Sequence, residues 1–201
     1  SVAQELFGED GLDPYLDHMA SIWLIHWKIA TNQEFCTTWA FAFSHFNQSI
    51  FSKGQLIDQL VTFAAEKNWK VSEKSVEKDV ICLLASYSIT TTSTDATISE
   101  DTLASPLSEL RLITEDHEYK QYYFDIGPKK TLSKYIFLYA LIEYTNQRKS
   151  DLLDLEQIFY DPGSPGKIFK LDENAICNFL EQVDSLTNGR LVWEETGPLR
   201  Q

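Results

Sequence analysis

The segment Met19-Ala-Ser-Ile-Trp-Leu-Ile-His-Trp-Lys-Ile-Ala30 constrains this chain more than any other. Its apolar residues recur at helical spacing on more than one face. Leu16, Ala20, Trp23 and Trp27 share one side; Ile22, Ile25 and Ile29 share another. A helix apolar nearly all round belongs at the centre of a fold, because no face of it suits water. The run is too short for a membrane span and is interrupted by Ser21, His26 and Lys28. Asp13-Pro14 reads as its start, with Asp at the N-cap and Pro at the first helical position.

A second helix is predicted over 37–47, with Trp39, Phe43 and Phe46 along one side and Phe41 and His45 along another. Together the two form a buried aromatic helix pair. Further helices are predicted over 53–67 (Leu56, Leu60, Phe63) and 72–87, where Ser72 caps and Val71 and Val76 can form a staple. The Ser/Thr-rich stretch 88–104 has no apolar period and reads as a solvated loop. Ser105-Pro106 starts a short helix. Residues 119–126 are aromatic and β-branched, end at Gly127-Pro128, and read as a strand. Thr131 starts a long helix, and Asp154-Leu-Glu-Gln157 spells a capping box. Extended segments are predicted at 168–171 and 191–194, with a helix capped by Asp172 between them.

The expected fold is mainly α with short β segments. Helix, helix, then β occurs twice, which suggests tandem helix-turn-helix or winged-helix-like units around the aromatic pair. The spans are 1–50 for the acidic loop and aromatic core, 51–130 for a first unit and 131–201 for a second. The chain opens on Ser1, and Phe7-Gly8 reads as mid-protein, so a C-terminal fragment of a longer protein is expected. No signal peptide or membrane segment is seen, which points to the cytoplasm. Cys36, Cys82 and Cys177 are far apart and odd in number, and read as three reduced, buried thiols.

Net charge is −13, which opposes general nucleic-acid binding and suits a basic partner. The charge is uneven, however. Residues 120–149 hold six cations against two anions. Lys129 and Lys130 follow a strand and precede a helix, where phosphate is favoured, and Lys134 is close behind. Glu9, Asp10 and Asp13 offer hard oxygen ligands for a divalent metal such as Mg²⁺, with Asp17 and His18 one turn on. The alternative for these acids is a Gly-Glu-Asp-Gly turn and a helix cap. His26 and His45 sit among aromatics. Either could act as a base, and either could be a satisfied core histidine. Ser164-Pro-Gly-Lys-Ile-Phe169 superficially looks like a phosphate loop, yet lacks the second glycine and the Gly-Lys-Ser/Thr ending; a structural turn is the plainer reading.

Leu6-Phe-Gly-Glu-Asp-Gly-Leu-Asp-Pro-Tyr-Leu16, Ile22-Trp-Leu-Ile-His-Trp27, Pro106-Leu-Ser-Glu-Leu110 and Ser164-Pro-Gly-Lys-Ile-Phe-Lys-Leu171 together resemble a bacterial domain family long catalogued as of unknown function. Its members appear as SspB-type proteins of a DNA phosphorothioation and anti-phage defence system. The resemblance covers nearly the whole chain. It implies a DNA-nicking component that works with partner proteins of that system, and an N-terminal helix-turn-helix-like region that shares in DNA binding. On that reading the chain is a metal-dependent nicking endonuclease. The family supplies no residue assignment; from the residues themselves Asp10, Asp13 and His26 are the expected catalytic groups, Glu9, Asp10 and Asp13 the expected metal ligands, and Lys129, Lys130, Lys134 and Lys167 the expected DNA contacts. The rival expectation is a non-catalytic acidic adaptor in the same kind of complex.

Overall fold

A computed structural model describes residues 4, 6, 11, 13–88, 105–148 and 152–194. Its centre is helix α1 (Met19–Thr31), of which no residue is exposed; Ser21, Ile22, Trp23, His26, Trp27 and Ala30 are buried. The helix starts later than expected. Leu16 takes a left-handed backbone (φ 57°), which breaks any helix running on from Pro14. The chain therefore turns once before α1 begins.

Helix α2 (Thr37–Ala40) widens into a π-turn over Phe41–His45, and the pair packs along α1. Strand β1 (Ile50–Phe51) leads into α3 (Lys53–Glu66), which opens with a full capping box between Ser52 and Gln55. Ser72 accepts the Ser75 N–H at the start of α4 (Glu73–Tyr87). After the undescribed residues 89–104, a 3-10 turn at Pro106–Leu110 precedes β2 (Ile113–Asp116) and β3 (Gln121–Phe124). The three strands form an antiparallel sheet in the order β1-β3-β2, with Ile50 opposite Tyr123 and Ile113 opposite Phe124. Phe51 and Phe124 turn inward, ring centroids 5.1 Å apart.

The rest is helical: α5 (Lys134–Arg148), α6 (Leu155–Tyr160), α7 (Pro165–Phe169), α8 (Glu173–Leu180) and α9 (Val183–Thr187). The capping box at Asp154 and Gln157 is present. The architecture is mainly α with short β segments, as the sequence suggests. One continuous core draws on all three expected spans, with Trp27, Phe43, Tyr87, Phe124, Phe137 and Phe169 among its members.

Three expectations need correction. Residues 168–171 are not extended. Ser164 accepts the Lys167 N–H, Pro165 takes the first helical position, and Ile168 and Phe169 complete the short helix α7. Residues 191–194 form no strand. The Leu191 N–H is taken by the Thr187 hydroxyl rather than by a ladder partner. The cysteines are not uniformly buried: Cys82 is exposed on α4, and Cys36 and Cys177 are half-buried. No helix among the described residues is long and apolar enough to cross a membrane.

Candidate nucleic-acid interface

His26 lies wholly inside, among Trp23, Phe43, Tyr87 and Phe169. Its Nε2 is 2.9 Å from the Ile168 carbonyl oxygen and its Nδ1 is 2.7 Å from the Tyr87 hydroxyl. A carbonyl only accepts, so Nε2 carries the proton and Nδ1 accepts from Tyr87. Burial pushes the imidazole down to about 4; the Ile168 bond works the other way, and the nearby Lys170 charge adds to the fall. His26 is thus a neutral core cross-link with both nitrogens satisfied, and the catalytic-base expectation is corrected on that ground.

Glu9 and Asp10 lie outside the described residues. Asp13 is buried, and its carboxylate accepts the N–H groups of Asp17 at 2.9 Å and His18 at 3.1 Å. A hydrogen bond from the Ser21 side chain is the main reason its carboxyl sits below the usual range. With three donors from the chain, Asp13 holds the turn ahead of α1, whose N-cap is His18 rather than Asp13 as expected, and is not an open ligand.

The lysines separate into two kinds. The Lys129 Nζ donates to the Asp125 carbonyl at 2.5 Å and to the Asp125 carboxylate at 2.7 Å, and its side chain is only 4% exposed. It clamps the end of β3 and is not presented to a ligand, contrary to its expected DNA contact. Lys130 and Lys134 are exposed and in no ion pair among the described residues. They flank the start of α5, where N–H groups and the helix dipole also favour an anion. Tyr135, beside them, is 64% exposed.

Lys167 is half-buried, and its Nζ donates to the Asn47 side-chain oxygen. Together with Lys170 it lines a cleft of about 160 Å³ between the 47–49 segment, the end of β3 and α7. Lys170 is buried, and its Nζ donates to the Phe43 carbonyl at 3.2 Å. The Nζ also lies 4.1 Å from the Phe124 ring centroid. Burial, and then the Lys167 charge, push its ammonium down to about 7. Sequence reasoning missed Lys170, because it read the residue as part of a short extended segment. Ser164 followed by Pro165 was the available signal for a helix there.

The family described as a protein of unknown function, DUF4007, matches residues 1–201. This chain belongs to that family. Two solved structures share the fold of the DUF4007 chain, one an SspB crystal structure and the other a magnesium ion-bound SspB crystal structure. Each is 28% identical with a TM-score of 0.81, over 97% of this chain and 58% of the SspB chain. The DUF4007 chain therefore spans a little over half the length of those proteins. No curated protein matches it.

The second of those SspB structures holds a magnesium ion. Among the described residues, however, no three His, Cys, Asp or Glu side chains come together to hold a metal ion. The described residues do not fit such a site.

Proposed function

We propose that this chain is part of a DNA-processing protein of a phosphorothioation system, one that nicks DNA together with other proteins of that system in the cytoplasm. The supporting observation is the likeness to SspB over nearly the whole chain. Lys130 and Lys134 position the backbone, because they are exposed, in no ion pair among the described residues, and placed at the start of α5. The order β1, two helices and a hairpin, with sheet order β1-β3-β2, supports reading this part of the chain as a winged-helix-like unit. We assign any catalytic cation in this chain to Glu9 and Asp10.

A second reading, a docking module for a basic partner, has its own support. Helix α4 precedes the hairpin and would be the groove-reading helix of such a unit. It exposes Lys74 and Lys78 beside Glu73, Glu77 and Asp79. That mixed face, on a chain of charge −13, suits a protein partner better than phosphate.

Supercoiled-plasmid nicking separates the two. The chain and a full-length SspB are compared with Mg²⁺ and with EDTA. Metal-dependent nicking by the chain alone supports the first reading. Nicking by the full-length SspB only, with no DNA binding by the chain at low salt, supports the docking role.

A further inference from the structure

We propose that the cleft between α7 and the 47–49 segment is an oxyanion site, built on Lys167 and Lys170, that takes a phosphate group. Among the described residues no carboxylate lines this cleft, although the chain holds 30 acidic residues against 17 basic ones.

Lys170 is the main pointer. Its buried ammonium has one carbonyl and two aromatic faces, and no carboxylate pairs with it among the described residues. A buried cation without a counter-charge is unfavourable for folding. The backbone adds to this, because Lys170 occupies the left-handed position after α7 (φ 53°), where glycine or asparagine is preferred. The Phe43 carbonyl and the two rings are neutral partners and leave the charge itself uncompensated. An arriving anion would supply the missing charge.

The surroundings are polar in the manner such a ligand needs. Ser49 and Asn47 line the cleft, and half-buried Gln48 brings a buried Oε1 that has no hydrogen-bond partner. Turned end for end, that amide offers an N–H to the same place. Donors from two segments, 47–49 and 167–170, suit an anion with acceptor oxygens on more than one side. The frame is also held in place. The Gly127 N–H donates to the Lys170 carbonyl and the Leu171 N–H to the Gly166 carbonyl, each at 3.0 Å. A Cβ on Gly166 would lie 2.7 Å from the Ile158 carbonyl oxygen, so the α7 backbone seats against α6 as only glycine allows. The segment that superficially resembles a phosphate loop thus presents lysines through a helix of its own.

The phosphate has two possible sources, the DNA backbone or a free phosphate. The first rests on the function proposed above; the second does not. The test is titration of the isotope-labelled 201-residue chain with inorganic phosphate, followed by backbone amide shifts, with chloride matching the ionic strength. Saturable shifts at Ser49, Gly166 and Lys167 are expected, with affinity falling about tenfold or more in Lys170→Met and in Lys167→Gln. Absence of saturable shifts in the parent, or unchanged affinity in both variants, overturns the site. Should Lys170→Met fail to fold, Lys167→Gln decides. A short duplex is then added. Competition between duplex and phosphate, with both weakened in the variants, identifies the backbone as the source. Phosphate lost while duplex binding is unchanged identifies free phosphate, and leaves the DNA reading to stand on Lys130 and Lys134.

Discussion

The imidazole of His26 and the carbonyl of Ile168 meet at 2.9 Å across 142 positions of sequence, joining the first helix to the last third of the chain. The other ring nitrogen reaches Tyr87 on α4. One side chain therefore ties three separate elements, and its burial keeps the ring neutral.

That neutrality gives stability a pH dependence of known sign. The folded imidazole sits at about 4 and the unfolded one at about 6.5, so the unfolded chain binds more protons between those values. His26 favours the folded state fully above pH 6.5, and the advantage is lost as pH falls towards 4. The loss is on the order of 3 kcal/mol. Urea unfolding at a series of pH values should show it, and His26→Leu should flatten that window while lowering stability at pH 7 by about 2–4 kcal/mol.

Lys170 should behave in the opposite way to an ordinary structural residue. Its folded value of about 7 lies below the unfolded one, so the parent gains stability as pH rises from 7 towards 10.5. Lys170→Met should remove that rise and be more stable than the parent at pH 7, by on the order of 2 kcal/mol. A less stable variant in thermal melts at pH 7 would show that the ammonium serves the fold.

Gly166→Ala places a methyl group against the Ile158 and Phe159 carbonyls at 2.7 and 2.8 Å. Backbone cannot yield as a side chain can, and a loss of about 1–3 kcal/mol is expected. Gly54→Ala is the control, because its Cβ meets nothing nearer than the Ser52 hydroxyl at 3.9 Å within α3. It should gain roughly 0.5–1 kcal/mol. Denaturant midpoints of the two variants should move in opposite directions.

Among the basic residues, exposure should decide the phenotype. Lys130→Ala with Lys134→Ala should weaken duplex binding and reduce the slope of affinity against salt by about two, leaving the melting temperature unchanged. Lys129→Ala should leave that slope alone and cost roughly 1–2 kcal/mol of stability, since it breaks the clamp on Asp125.

The acidic loop divides similarly. Glu9→Ala with Asp10→Ala should abolish Mg²⁺-dependent nicking without lowering the melting temperature. Asp13→Ala should lower the melting temperature, because the N–H groups of Asp17 and His18 lose their acceptor, and should leave nicking by the folded protein intact.

Local grammar was legible in this sequence; distance was not. Ser72 and the Asp154–Gln157 box announce their helices because caps act within a few residues, and β3 is legible from its run of tyrosine and phenylalanine. β1 escapes because two residues carry no period, and the start of α1 is misplaced because Leu16 turns left-handed without a glycine to mark it. At the candidate site the same limit applies. Lys129 and Lys130 are adjacent and chemically identical, yet one clamps Asp125 and the other faces water. The burial of Lys170 comes from Phe43 and Phe124, both far from it in sequence.

Helix α1 has no exposed residue and packs against elements from both halves of the chain. Its interior amides are therefore screened from solvent by the whole fold at once, and no local fraying can uncover Trp23 or Trp27. Deuterium uptake there times the rarest event in the life of the molecule, its complete opening, and any ligand that slows that uptake has bound the native state as a whole.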